Sequence, residues 1–124
     1  MLFRSNQTLS LLRAGRRDRG NYSVRVGNPG GSIVTSNAVL RVIAPQHLGL
    51  AQLTQDGAME IVSRDADDGT LLPQDLPLFE AQTSTNLLIW ETLPNVLSVT
   101  NDALLLRDTN AGRLPQRFYR IVEH

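Results

Sequence analysis

The pentapeptide DADDG, residues 65–69, gathers three carboxylates in one turn and could ligate calcium. It departs from the EF-hand loop in two ways: glycine stands fifth from Asp65 where sixth is required, and position twelve is Leu76 instead of a bidentate glutamate. An acidic turn in water is the simpler expectation. GNPGGS, residues 27–32, could cradle a phosphate, but it lacks the GK[ST] of a P-loop. The β-forming run Ile33-Val34 also follows where a helix would have to begin. Arg16, Arg17 and Arg19 read as a solvated charged turn. His47 and His124, the two histidines, do not make a triad or a three-ligand zinc site. Cysteine is absent, which excludes a thiolate nucleophile, a disulfide and a cysteine-ligated metal. No G-x-S-x-G occurs. The many acids supply carboxylate pairs for glycoside hydrolysis without singling out any. The expectation is therefore no catalytic, cofactor-binding or metal-ligating residue.

The net charge of zero hides a split. Residues 1–44 carry seven arginines and one acid, a net +6, and residues 45–124 carry five arginines and eleven acids, a net −6. A basic half can mark nucleic-acid binding. Here Phe3 and Tyr22 are the only aromatics among those arginines, so nucleic acid is not an expected partner. Docking between oppositely charged surfaces fits the split as well. No apolar run approaches the roughly 18 residues of a membrane span. Three residues precede Arg4, too few for the apolar stretch of a signal peptide, so an export signal is expected upstream. The N-x-[ST] tripeptides at Asn6 and Asn21 are read as coincidental.

Strands must position whatever site exists. Period-two alternation marks a half-buried strand. It predicts strands near residues 9–13, 22–26 and 34–42, with GNPGGS as a hairpin loop between the last two. Pro45 breaks the chain into a linker over residues 45–47. Further strands are predicted near residues 48–53, 58–63, 78–83, 88–93, 103–107 and 118–122, separated by Asp-, Asn-, Gly- and Pro-rich turns. Trp90, the single tryptophan, is expected as a core anchor beside Leu78, Leu88, Leu106 or Phe118.

Two resemblances follow from these residues. Asp18-Arg19-Gly20-Asn21-Tyr22 before an alternating strand resembles the tyrosine corner of immunoglobulin-like domains. That implies a largely buried Tyr22 ring and a hydroxyl bonded to backbone near residues 16–18. Residues 7–42 as a whole resemble strands E, F and G of an I-set-type immunoglobulin domain, with Val24 where the family places its strand-F cysteine. Strands A to D have no counterpart, which implies an incomplete domain with an open apolar face and a tendency to self-associate. Residues 55–124 resemble a C-terminal module of large secreted bacterial proteins. The resemblance rests on Phe79, Ser84-Thr85-Asn86-Leu87, Trp90, Asp108, Ala111 and Arg117-Phe118-Tyr119-Arg120.

The expected fold is all-β. A partial immunoglobulin-like sandwich (residues 1–44) precedes the linker and a small antiparallel β-sandwich (residues 48–124). The resemblances imply a non-catalytic, secreted or cell-surface module of a multidomain bacterial protein. It would serve adhesion, surface display or domain spacing, with other protein domains or cell-surface polymers as partners. The alternative is a carbohydrate-binding accessory module of a secreted hydrolase, for which exposed coplanar aromatics would speak. A third reading, an enzyme fragment, would need a carboxylate pair in a cleft.

Overall fold

The computed structural model describes residues 7–124, so Asn6 lies outside the described residues. The chain is all-β, and every strand pairing is antiparallel. It divides into two compact units, residues 1–42 and 43–124.

In the N-terminal unit, a 3-10 turn (Arg16–Asp18) leads into β1 (Gly20–Tyr22) and β2 (Arg25–Asn28), and β3 (Gly31–Val34) and β4 (Ala38–Leu40) return alongside. β2 and β3 form the hairpin expected from GNPGGS, with Asn28 opposite Gly31 and Pro29-Gly30 at the turn. Pro29 presets φ for the first turn position, and Asn28 Oδ1 accepts the Gly30 amide at 2.8 Å. β1 pairs with β4. Two residues separate β1 from β2 while three separate β3 from β4, which is a β-bulge. The bulge interrupts the single strand expected at residues 22–26. Thr35 repairs the gap: its amide donates to the Val24 carbonyl at 2.8 Å, and its Oγ1 accepts the Val24 amide at 2.9 Å.

Residues 9–13 form no strand, contrary to their alternating pattern. Alternation needs a partner edge to become a strand, and β1 takes β4 as its only partner among the described residues. Leu9, Leu11 and Leu12 remain exposed.

The C-terminal unit is built from two sheets. One contains β5 (Gln46–Leu48), β6 (Gln52–Leu53), β7 (Met59–Asp65), β10 (Leu97–Thr100) and β11 (Ala103–Asp108). The other contains β8 (Phe79–Ser84), β9 (Glu91–Thr92) and β12 (Phe118–Glu123). The first runs β10-β11-β7-β5 with β6 also on β7, and the second runs β12-β8-β9. β5 and β6 share one edge of β7 in succession. Gly49 lets the chain step between them, because a Cβ there would lie 3.2 Å from the Val62 carbonyl oxygen.

Inward residues from both sheets make the core. Ile61 and Leu106 meet Ala81, while Leu104 meets Phe79 and Leu71; Leu97 and Ile121 pack against both groups. The burial alternates along β7, β8 and β11 as a half-buried strand requires.

The linker expected at residues 45–47 is part of this unit. Gln46 and His47 pair with Asp65 and Arg64 in β5. Pro45 has no amide to donate, yet its carbonyl accepts the Ala66 amide at 2.8 Å. Ala44 is buried, and its amide donates to Glu123 Oε2 at 3.3 Å. A proline at the start of an edge strand loses nothing from the ladder.

Candidate functional site

Of the residues that carried the second resemblance, Asp108, Arg117 and Tyr119 converge. β11 ends on Asp108, which points inward and is almost fully buried. β12 carries Tyr119, whose hydroxyl donates to Asp108 Oδ2 at 2.9 Å. Arg117 Nη1 pairs with the same oxygen at 2.9 Å, and the Asn110 amide donates to Oδ1 at 2.9 Å. Arg117 Nε donates to Thr83 Oγ1 at 2.9 Å, and Thr83 in turn donates to the Phe118 carbonyl at 3.0 Å. The guanidinium carbon stands 5.9 Å from the Tyr119 ring centroid. Among the described residues, no buried side-chain nitrogen or oxygen lacks a hydrogen-bond partner. A charge held this way is tolerable in a sandwich interior because both carboxylate oxygens have donors and one of them has a cationic partner.

Burial, followed by the hydrogen bond to the Asp108 carboxylate, pushes the Tyr119 phenol well above its ordinary range. The folded pKa exceeds the unfolded one. This contribution to stability is therefore complete below about pH 10 and is lost as pH rises toward the folded value. Absorbance titration should show Tyr119 ionising only together with alkaline unfolding; its free ionisation near pH 10 in the folded protein would contradict the network.

Ser84-Thr85-Asn86 builds a rigid turn rather than the start of a strand. Ser84 Oγ accepts the amides of Asn86 at 3.2 Å and Leu87 at 2.9 Å. Asn86 Oδ1 accepts those of Leu88 and Ile89, both at 2.9 Å, and the Ser84 hydroxyl at 3.1 Å. Four amides committed to side chains cannot join a ladder. The strand expected over residues 88–93 consequently shrinks to β9, and Leu87 takes a left-handed φ of 63°. Behind the turn lies a depression of about 200 Å³ whose lining includes Thr83, Ser84, Ile89, Glu91, Leu114 and Arg117.

Trp90 is not the core anchor expected of it. It is half-buried and belongs to neither core cluster. The Arg120 guanidinium carbon lies 4.3 Å from its ring centroid, while Arg120 Nε donates to Gln82 Oε1 at 2.7 Å. The short turn ahead of it removes the strand that would have carried the ring inward. Trp90→Ala should then cost about 1 kcal/mol in denaturant unfolding, the scale of an exposed cation–π contact, rather than that of a core deletion.

Arg120 and Gln82 are register partners, as are Val122 and Glu80, and Thr92 and Gln82. One sheet face therefore carries a polar chain. Gln82 Nε2 donates to Glu80 Oε1 at 2.7 Å, Thr92 Oγ1 to the same oxygen at 2.5 Å, and His124 Nε2 lies 2.9 Å from Glu80 Oε2. These bonds, from Thr92 first, hold the Glu80 carboxyl at about 2. Asp56 is held at about 2 by Thr54 and then by Arg107, which also pairs with Glu60 at 3.1 Å.

The other sequence candidates resolve locally. In residues 65–69, the Asp65 carboxylate accepts from Gln46 at 2.5 Å and the Asp67 carboxylate from the Gly69 amide at 3.0 Å. Among the described residues, no group of three or more His, Asp or Glu could hold a metal ion. His47 is exposed on β5, with no nucleophile bonded to it among the described contacts. In the N-terminal unit, the Tyr22 hydroxyl donates to the Asp18 carbonyl at 2.5 Å, and Gly20 adopts a φ of 144° that favours glycine. The ring is half-buried rather than largely buried. Tyr22→Phe should cost on the order of 1 kcal/mol, measured by urea unfolding with far-UV circular dichroism. No loss at all would mean that the bond does not hold the corner.

No protein-family model, curated protein or solved structure matches the chain.

Proposed function

We propose that this chain is a non-catalytic module of an extracellular multidomain protein, serving surface display, adhesion or domain spacing. One observation carries the reading: Asp108, Arg117 and Tyr119, the most chemically capable of the motif residues, bind one another. A catalytic carboxylate or arginine would have to face a substrate, whereas these are satisfied within the sandwich. The Tyr22 bond to Asp18 and the Pro29-Gly30 hairpin support the immunoglobulin-like reading of the N-terminal unit. Residues 9–13 do not, since a strand E is wanted there.

Association through the N-terminal unit belongs to the same reading. Val26 and Ile33 are register partners on one face of the hairpin, and both are exposed. The rival, a carbohydrate-binding accessory module, needs an open aromatic platform, and Arg120 covers one face of Trp90.

The test uses the full chain in two assays. Retention on cellulose, chitin and peptidoglycan is measured alongside turnover of chromogenic glycosides and esters. The display reading expects neither polysaccharide retention that depends on Trp90 nor any turnover. Retention abolished by Trp90→Ala supports the carbohydrate-binding rival, and turnover abolished by a single carboxylate substitution overturns the non-catalytic reading.

A further inference from the structure

We propose that the N-terminal unit of one copy of this chain docks on the apolar turn at residues 85–91 in the C-terminal unit of a second copy, forming a reciprocal dimer. The dimer rests on the association already read for the N-terminal unit and gives it a partner.

The N-terminal unit has apolar surface to cover. It consists of two two-stranded sheets, β1-β4 and β2-β3. Among residues 7–42 no apolar side chain is buried, and Tyr22, Leu40 and Val42 are half-buried. A two-stranded sheet without a packed face is marginal in water. Val26 and Ile33 share one face of the hairpin and are both exposed, as is Val24 two residues earlier. Single exposed apolar side chains are ordinary on a protein surface, but a contiguous patch marks a contact.

The C-terminal unit carries a patch of its own. Leu87, Leu88 and Ile89 are consecutive and exposed. Side chains of Ser84 and Asn86 already hold the amides of this turn, so little order remains to be lost on contact. Ile89 and the exposed Leu114 line the depression behind it, which side chains of a partner can enter. Arg117 in that lining is neutralised by Asp108. Glu91, in the same lining, makes no ion pair among the described residues, so the depression keeps an uncompensated negative charge.

Charge selects which patches meet. Residues 1–42 carry seven arginines and one acid, a net +6, and residues 43–124 carry five arginines and eleven acids, a net −6. The imbalance lies at the surface. Among the described residues of the N-terminal unit, Arg13, Arg17, Arg25 and Arg41 are exposed and no acid is. In the C-terminal unit Asp56, Asp67, Asp68, Glu91 and Asp102 are exposed against Arg64, Arg113 and Arg120. Hairpin on hairpin would set +6 against +6, and turn on turn −6 against −6. Hairpin on turn joins opposite signs, which steers encounter and suppresses the other two pairings. A soluble polyanion would answer the arginines and leave Val26 and Ile33 bare, whereas a surface both acidic and apolar answers both. Reciprocal docking uses both patches of both copies and closes a twofold dimer.

Sedimentation velocity of the full chain should show a monomer–dimer equilibrium that tightens at low salt and loosens at high salt. Ile33→Asp and Leu88→Asp should each weaken dimerisation at least about tenfold, because a carboxylate enters an apolar contact. Both residues are exposed, by 71% and 84%, so circular dichroism should show each variant folded as the parent. Leu50→Asp, at a residue 89% exposed on a different turn, should leave the equilibrium unaltered. The decisive sample is an equal mixture of the first two variants. The Ile33→Asp copy keeps an intact turn and the Leu88→Asp copy an intact hairpin, so one sound contact re-forms. The mixture should therefore dimerise more tightly than either variant alone. A chain that stays monomeric at low salt would overturn the proposal. So would a dimer that only one of the two variants disperses, which would mean hairpin on hairpin or turn on turn. Absence of rescue in the mixture would overturn it as well. Polysaccharide retention and turnover are read in separate assays, so a failure here is distinguishable from a failure of the display reading.

Discussion

Asp108→Ala should destabilise the C-terminal unit by about 3–5 kcal/mol in equilibrium urea unfolding, the usual cost of stripping one partner from a buried ion pair. The Asp108 side chain is 2% exposed and that of Arg117 13%. Without the carboxylate, the guanidinium keeps only Thr83 as a side-chain acceptor, and the Tyr119 hydroxyl loses its acceptor. The penalty comes from the groups left behind more than from the bond removed. Adding Arg117→Leu to Asp108→Ala should therefore recover part of the loss, since it removes the stranded charge. A single-variant loss below about 1 kcal/mol would show that the pair behaves as a surface ion pair, against its burial. The raised Tyr119 ionisation should vanish in Asp108→Ala to the extent that the carboxylate causes it.

Leu106→Ala should cost about 2–5 kcal/mol by the same measurement. Leu106 is fully buried, packed with Ile61 and Ala81, and partly buried Leu97 and Ile121 join this cluster to the one around Leu104. A cavity at this point would lie between two sheets held apart by their backbones, so the walls can close on it only in part. Val62→Ala makes the contrast. Val62 lies beside Ile61 in β7 but points outward and is exposed. Its loss should stay within about 0.5 kcal/mol. Equal losses at Leu106 and Val62 would contradict a sheet whose Leu106 face is packed in the core and whose Val62 face is open to water.

By itself the sequence determined what depends on near neighbours. The alternation in residues 58–63, 103–107 and 118–122 became β7, β11 and β12, because period two places every second side chain on one face whatever the partner strand is. The Asn28-Pro29-Gly30-Gly31 turn and the Tyr22 bond to Asp18 are also local, spanning four and five residues. One local signal went unread: Asn101 and Asp102 both adopt positive φ, at 50° and 61°, and close the hairpin from β10 to β11. Side chains of that kind favour such a two-residue turn. Tertiary structure decided the rest. Residues 9–13 alternate like a strand yet have no ladder to join, whereas Gln46 and His47, read as linker, found the free edge of β7. Leu88 and Trp90 read as core because apolar residues usually are, but Asn86 holds the Leu88 and Ile89 amides in a turn just ahead of Trp90. Asp108, Arg117 and Tyr119 stand up to eleven residues apart, and no spacing rule places them on one oxygen. That required β11 and β12 to lie in opposite sheets with their inner faces toward each other, a consequence of burying both at once.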